Sequence, residues 1–314
     1  MTDQPLTIIE DDGIVIIELE QPGRPVVVLD HALVRRLDAA ITALPRGVQG
    51  VMLASASERA FVAGADLSSI RDLPDDRLHA YLEDAARVFG RLAGLPCPTA
   101  AAINGAALGG GLELAMHCDG LVAAPSASGK DYPIGLPEAG LSICPGWGGT
   151  NLLPARVEPG EAIRRTASGE PFSFSEARDA GLFDAVIDNP AELRAGASAW
   201  LRRQPKPNRD QQGGAPSRWI GAIPSVVSGA VPGAVPGASG GATNGAGVLA
   251  ALDAVRADLP ATDAAAAVAD CVDAGLANGW AAALRLERER LVHLRHTDAG
   301  KTAIAAFFEK SAKR

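Results

Sequence analysis

The chain has 314 residues, enough for one main domain with an appended segment. Its formal net charge of −8, with Lys and Arg scattered along it, excludes a nucleic-acid binder, whose basic surface has to attract phosphate. The 4 cysteines show no metal-like spacing, Met1 leads into polar sequence rather than a signal peptide, and no apolar run reaches the roughly 20 residues of a membrane helix, so a soluble cytoplasmic protein without a metal is expected.

The first elements read as strands: TIIE, then IVIIELE after Asp11-Asp12-Gly13, then VVVLD after Pro25. HALVRRLDAAITAL has apolar residues at helical intervals behind Asp30, a good N-cap, and VQGVMLASAS is another buried strand. In FVAGADLSSI, residues Ala63, Gly64 and Ala65 are small enough for a ligand to lie against the main chain, and Asp66 can cap a helix that starts near Leu67. Pro74 to Leu95 is a helix with Leu78, Leu82, Ala85, Val88, Phe89 and Leu92 on one face; Thr99 to Ile103 is a buried strand.

The stretch from Ala101 to Arg156 carries the chemistry. Gly109, Gly110 and Gly111 precede a helical start, where unpaired N–H groups carry partial positive charge. Glu113 falls in that first turn among Leu112, Leu114, Ala115 and Met116, a setting that penalises ionisation; a solvent-facing first-turn Glu is the plain alternative. Glu138 follows Pro137 and precedes Pro145, Gly146, Trp147, Gly148 and Gly149, so it sits on a rigid loop. Two fixed carboxyls facing one cleft can position a water and move protons between adjacent atoms. His117 and Cys118, adjacent on a helix, point apart and read as core.

GEAIRRTASGEPFSFSEARDAGLFDAVID reads as two helices, the second capped by Ser175 and ending at Gly181, and a helix from Ala191 to Arg203 follows. The domain reading is a core over residues 1–204, a Gly/Pro/Ala-rich linker over 205–247 and a helical region over 248–314. Within the linker, Trp219, Ile220, Ile223, Val226 and Val227 form an apolar patch able to dock on the core.

FVAGADL, NGAALGGGLELA, PEAGLSICPGWGGTNLLPAR and SFSEARDAGLFDAVI fall in an order that resembles the crotonase superfamily, the enoyl-CoA hydratases and isomerases. The resemblance covers Ile8 to about Leu201 and implies an α/β fold, a crotonase-like spiral of ββα repeats with a C-terminal helical region. It implies catalytic roles for Glu113 and Glu138, and an oxyanion hole built from the amides of Ala65 and Gly110. Arg59, Ala63, Asp66, Leu67, Gly109, Gly146, Trp147, Phe308 and Lys310 match positions near the acyl-CoA, whereas Ser68 stands where many relatives carry a CoA-contacting Lys. Ile70 and Leu73 border the implied acyl chain.

The implied activity is hydration of trans-2-enoyl-CoA to 3-hydroxyacyl-CoA, with coenzyme A present only as part of the substrate and no metal or redox cofactor. The resemblance also implies a homotrimer or a hexamer formed as a dimer of trimers, no membrane partner, and a place in fatty acid β-oxidation. Isomerisation of 3-enoyl-CoA is the alternative, then another crotonase reaction such as dehydration or hydrolysis, then a non-catalytic acyl-CoA-binding subunit. The segment between Asp119 and Glu138 is longer than in short hydratases and resembles the hydratase portion of multifunctional β-oxidation enzymes. Trp147 stands where a small residue is usual; it either narrows the acyl site or packs against that loop.

Overall fold

A computed structural model describes residues 4–209, 214–222 and 245–312. The chain begins with antiparallel strands β1 (Thr7–Asp11) and β2 (Ile14–Leu19), joined at Asp12 and Gly13, both with positive φ. Helix α1 (His31–Thr42) follows, its first turn held by Asp30, which accepts from Leu33 N. Next come β3 (Gly50–Ser55), β4 (Ala60–Val62), α2 (Leu67–Asp72) and α3 (Asp75–Ala93). Then β5 (Thr99–Ile103), β6 (Ala106–Leu108) and α4 (Gly110–Met116) repeat the pattern, and β7 (Gly120–Ala123) and β8 (Pro133–Gly135) begin it again.

The topology explains this repetition. The large sheet has the order β1-β2-β3-β5-β7-β10, where β10 is Ala185–Val186; the small sheet has the order β4-β6-β8-β9, where β9 is Phe172–Ser173. Each turn of chain gives one strand to the large sheet, the next to the small sheet, then a helix. From β2 onward the large-sheet pairings are parallel. Strands β3, β5 and β7 are buried throughout, as continuous apolar runs between two layers must be. This is the ββα spiral that the family resemblance implied.

The first turn lacks a regular second strand. The expected strand VVVLD is extended but pairs with a bending loop: Ala63 N donates to Val27 O, Leu29 N to Gly64 O and Asp66 N to Leu29 O, each at 2.8 Å. Only Leu29 and Ala65 form a bridge. Because its partner curves away at Gly64, whose φ is 122°, no longer ladder can form.

After the spiral come α5 (Gly149–Leu152), α6 (Pro159–Ser168), α7 (Phe174–Asp179) and α8 (Leu193–Arg203). Ser173, rather than Ser175, caps α7: it accepts from Glu176 N while Glu176 accepts from Ser173 N, a capping box. The chain ends in α9 (Gly245–Val255), α10 (Asp263–Asn278), α11 (Trp280–Leu294) and α12 (Asp298–Ala312). Helices α10–α12 share the main core through Ala264, Ala267, Trp280, Leu291, Val292, Leu294 and Ile304, whereas α9 packs in a second cluster through Val248, Leu252 and Val255. Ile220 is fully buried against Ile163, Val248 and Val272, and its N–H donates to Asn151 O. Ile223, Val226 and Val227 lie outside the described residues. No described helix is long and apolar enough to cross a membrane.

Candidate active site

The small sheet decides where the site forms. Strands β4, β6 and β8 run parallel, so their C-terminal ends lie side by side. Each end feeds a loop singled out in the sequence: Ala63–Asp66 after β4, Gly109–Gly110 after β6, and Leu136–Glu138 after β8. Open α/β sheets present their ligands to this same strand end. The Leu29 bridge uses the backbone groups of Gly64 and Asp66, which turns the intervening Ala65 amide to the opposite side. Gly110 opens α4, so its N–H has no carbonyl one turn earlier inside the helix. Among the described residues neither amide has an acceptor, so both are available donors on neighbouring loops.

Glu113 projects from the first turn of α4 and is 1% exposed. Its Oε1 accepts from Trp147 N and Gly149 N, both at 2.8 Å, while Oε2 accepts from no described protein donor. Glu138 stands at the second position of a 3-10 turn, Pro137–Leu141, that Pro137 starts and the left-handed Ser142 closes. As a residue Glu138 is only half-buried, yet its Oε2 is shut off from solvent and has no hydrogen-bond partner among the described residues. A Cβ at Gly109 would lie 2.3 Å from Glu138 Oε1, and Gly109 has φ 50°, so a glycine is needed there on both counts. The two expected carboxyls thus meet the same short segment, Glu138 from above Gly109 and Glu113 from one turn inside α4.

A third carboxyl is present that the sequence reading missed. Glu287 on α11 is fully buried and accepts from Gly148 N at 2.5 Å, Thr150 N at 3.0 Å and Thr150 Oγ1 at 2.5 Å. It occupies the buried stripe of α11 that also holds Ala283, Leu291 and Leu294. A charged residue at a core position of a helical repeat is the signal that would have found it. Among the described residues, no ion pair reaches Glu113, Glu138 or Glu287. Burial raises all three, Glu138 to about 8 and Glu287 to about 7, and the neighbouring negative charge of Glu287 adds to the rise in the other two. Three such groups titrate as one set. Glu113 is raised furthest, and Glu138 Oε2, with no donor among the described residues, can carry a proton without giving up a hydrogen bond.

Trp147 points into the core. Its ring is 2% exposed, packs edge-on against Tyr81 and Phe89 of α3, and donates from Nε1 to Leu82 O at 2.9 Å. A Cβ at Gly110 would lie 2.3 Å from Trp147 Cζ3, so the indole rests on the glycine that carries the free amide. The loop of residues 126–131 is a surface turn, and Tyr132 anchors it by donating to Ala124 O at 2.6 Å. His117 is buried, donates from Nδ1 to Glu113 O at 2.8 Å, and is held neutral by burial, at about 4.

The remaining expected residues are more dispersed. Ala63 uses its amide on Val27 O, Asp66 caps α2 by accepting from Ser69 N, and half-buried Leu67 packs on the core. Gly146 faces Leu291, which a Cβ there would approach to 3.0 Å. Ile70 is buried, Leu73 half-buried. Arg59 is exposed at the opposite end of β4 from Ala65. On α12, Phe308 is half-buried with the Arg71 guanidinium 4.1 Å from its ring centroid, while Lys310 is exposed. Helix α12, which carries Phe308, packs against both α2 and the Glu138 turn.

Residues 10–210, well over half of the chain, match the family described as enoyl-CoA hydratase/isomerase. Among solved structures, an enoyl-CoA hydratase from Bacillus anthracis is 26% identical, with 98% of this chain and 97% of that chain covered and a TM-score of 0.58. Pseudomonas aeruginosa DspI is 28% identical over 66% of this chain and 84% of its own, also with a TM-score of 0.58. An enoyl-CoA hydratase from Bacillus halodurans, 20% identical, shares the fold with a TM-score of 0.64 over 96% of this chain and 100% of that one. The matched stretch ends before α11, so Glu287 lies outside it.

Proposed function

We propose that this chain, which belongs to the enoyl-CoA hydratase/isomerase family, adds water across the double bond of a trans-2-enoyl-CoA to give a 3-hydroxyacyl-CoA. The observation that carries this is the unequal treatment of two adjacent carboxyls: Glu113 is tied at Oε1 by two amides, whereas Glu138 Oε2 is buried with no donor. Glu138 Oε2 can carry a proton without losing a hydrogen bond, and the two amides on Glu113 favour its ionised form against the burial that raises it.

The thioester oxygen would accept from Ala65 N and Gly110 N. These donors strengthen as negative charge builds on that oxygen, and in other enzymes removing one such donor costs about 2.7–4 kcal/mol. Glu113 Oε2 takes a proton from water while the hydroxyl forms a bond to the β carbon. The π electrons move toward the thioester, and the α carbon then takes the proton of Glu138. The net transfer leaves Glu113 protonated and Glu138 ionised; a proton passed between them, directly or through the next water, restores the starting state. These steps call on the thioester, water and the chain's own groups.

The test is the loss of enoyl absorbance from crotonyl-CoA and from a longer trans-2-enoyl-CoA. We expect rapid loss with the native protein and a drop of about 10²–10⁴-fold in Glu113→Gln and Glu138→Gln. No loss with either substrate, despite measurable acyl-CoA binding, would reject hydration and direct attention to 3-enoyl-CoA isomerisation.

A further inference from the structure

We propose that Glu287 is a positioning residue of this site: from α11 it holds the turn of residues 147–150 on which Glu113 hangs. The four consecutive amides of that turn alternate. Trp147 N and Gly149 N donate to Glu113 Oε1, and Gly148 N and Thr150 N donate to Glu287, from the opposite side. The turn is thus clamped between two carboxylates that never touch the same amide. Rotating it to improve one pair of bonds breaks the other pair.

Two features give Glu287 more than a structural part. First, the turn can adopt this alternation only through Gly148, with φ 96°, and a Cβ there would meet Trp280 at 2.2 Å. The clamp therefore fixes the Trp147 backbone, and with it the indole that rests on Gly110. Second, when ionised, Glu287 brings negative charge into an apolar region in which no described residue pairs with it. The titratable groups that face it are Glu113 from α4, Glu138 from the 3-10 turn, and the thiols of Cys144 and Cys271, which burial keeps protonated. A carboxylate so placed opposes ionisation of the other two and so helps keep the proton on Glu138, the proton that hydration consumes.

As a positioning role in hydration, this rests on the activity proposed above, so the test has one arm that does not need turnover. Glu287→Gln keeps the shape, removes the charge and turns an N–H₂ toward one amide donor. The expected result is a fall of about 10²-fold in kcat with little change in KM, together with an alkaline limb of the pH–kcat profile at lower pH than in the native protein. Glu287→Asp keeps the charge but shortens the reach, so it should lose kcat while its alkaline limb stays native. Independently of turnover, infrared titration of the native protein and Glu287→Gln should show the buried protonated carboxyl band disappearing at lower pH in the variant. A purely structural residue would lower Tm without moving either titration. Native kcat and native titration in folded Glu287→Gln would overturn the proposal; should that variant not fold, native kcat in Glu287→Asp would do so. If the native protein proves inactive on enoyl-CoA while the infrared shift is present, hydration fails and the coupling of Glu287 to the proton stands.

Discussion

Gly109 shows how far a single residue constrains the site. Its backbone is left-handed, and any side chain there would be driven into Glu138 Oε1. Gly109→Ala should therefore displace the Glu138 carboxyl and the adjoining Gly110 amide by a fraction of an ångström to an ångström, a scale of misplacement that costs about 10²-fold in rate. Steady-state kinetics beside a thermal melt checks this: a native kcat would mean that Glu138 does not depend on this contact. Glu113 and Glu138 were legible in the sequence because each stands alone among apolar residues and glycines. Glu287 was not, because its local sequence, LRLERERL, reads as a charged helix surface, and only the packing of α11 against α10, α3 and the 148–150 turn makes position 287 a core position. Trp147 was legible as an anomaly, but its direction, toward α3 rather than the long loop, depends on a contact with residues more than fifty positions away.

At the scale of elements, local signals worked where local hydrogen bonds decide. Asp30 and Asp66 cap α1 and α2 as their side chains suggest. The α7 start was misplaced by two residues because Ser173 and Ser175 both satisfy the cap preference; the Glu three residues beyond Ser173 makes the difference. Ser173→Ala removes the side-chain half of that box and should lower unfolding free energy by about 1 kcal/mol, read from denaturant midpoints. Ser175→Ala should leave the midpoint nearly unchanged, and the reverse order would refute the assignment. Pairing between strands was less legible. Alternation of strands and helices is equally compatible with a doubly wound sheet, and nothing within a single turn of chain tells that β4, β6 and β8 leave the large sheet to form their own.

For the whole molecule, the buried titratable groups set how stability should vary with pH. Glu138 and Glu287 are raised from the ordinary 4.5 to about 8 and about 7. Between those limits the folded chain binds more protons than the unfolded one, so their contribution is present in full below about 4.5 and is lost as pH rises through 7 to 8. His117 acts in the other direction. Burial lowers it from 6.5 to about 4, so its contribution is present above 6.5 and is lost as pH falls toward 4. The Asp75 carboxyl, lowered to about 2 by His296 and Arg295, matters only at more acidic pH. Between pH 4.5 and 6.5 the two carboxyls outweigh the single histidine, so the stability maximum falls on the acid side of neutrality, at about pH 4–5. Thermal melts across pH 4–9 should show Tm falling from pH 6.5 to 9 in the native protein and falling less in Glu138→Gln, which has no proton to lose. A Tm that rises from pH 6.5 to 9 would mean that the three carboxyls are ionised together in the folded state, and that a cation or solvent reaches them which their apolar surroundings exclude.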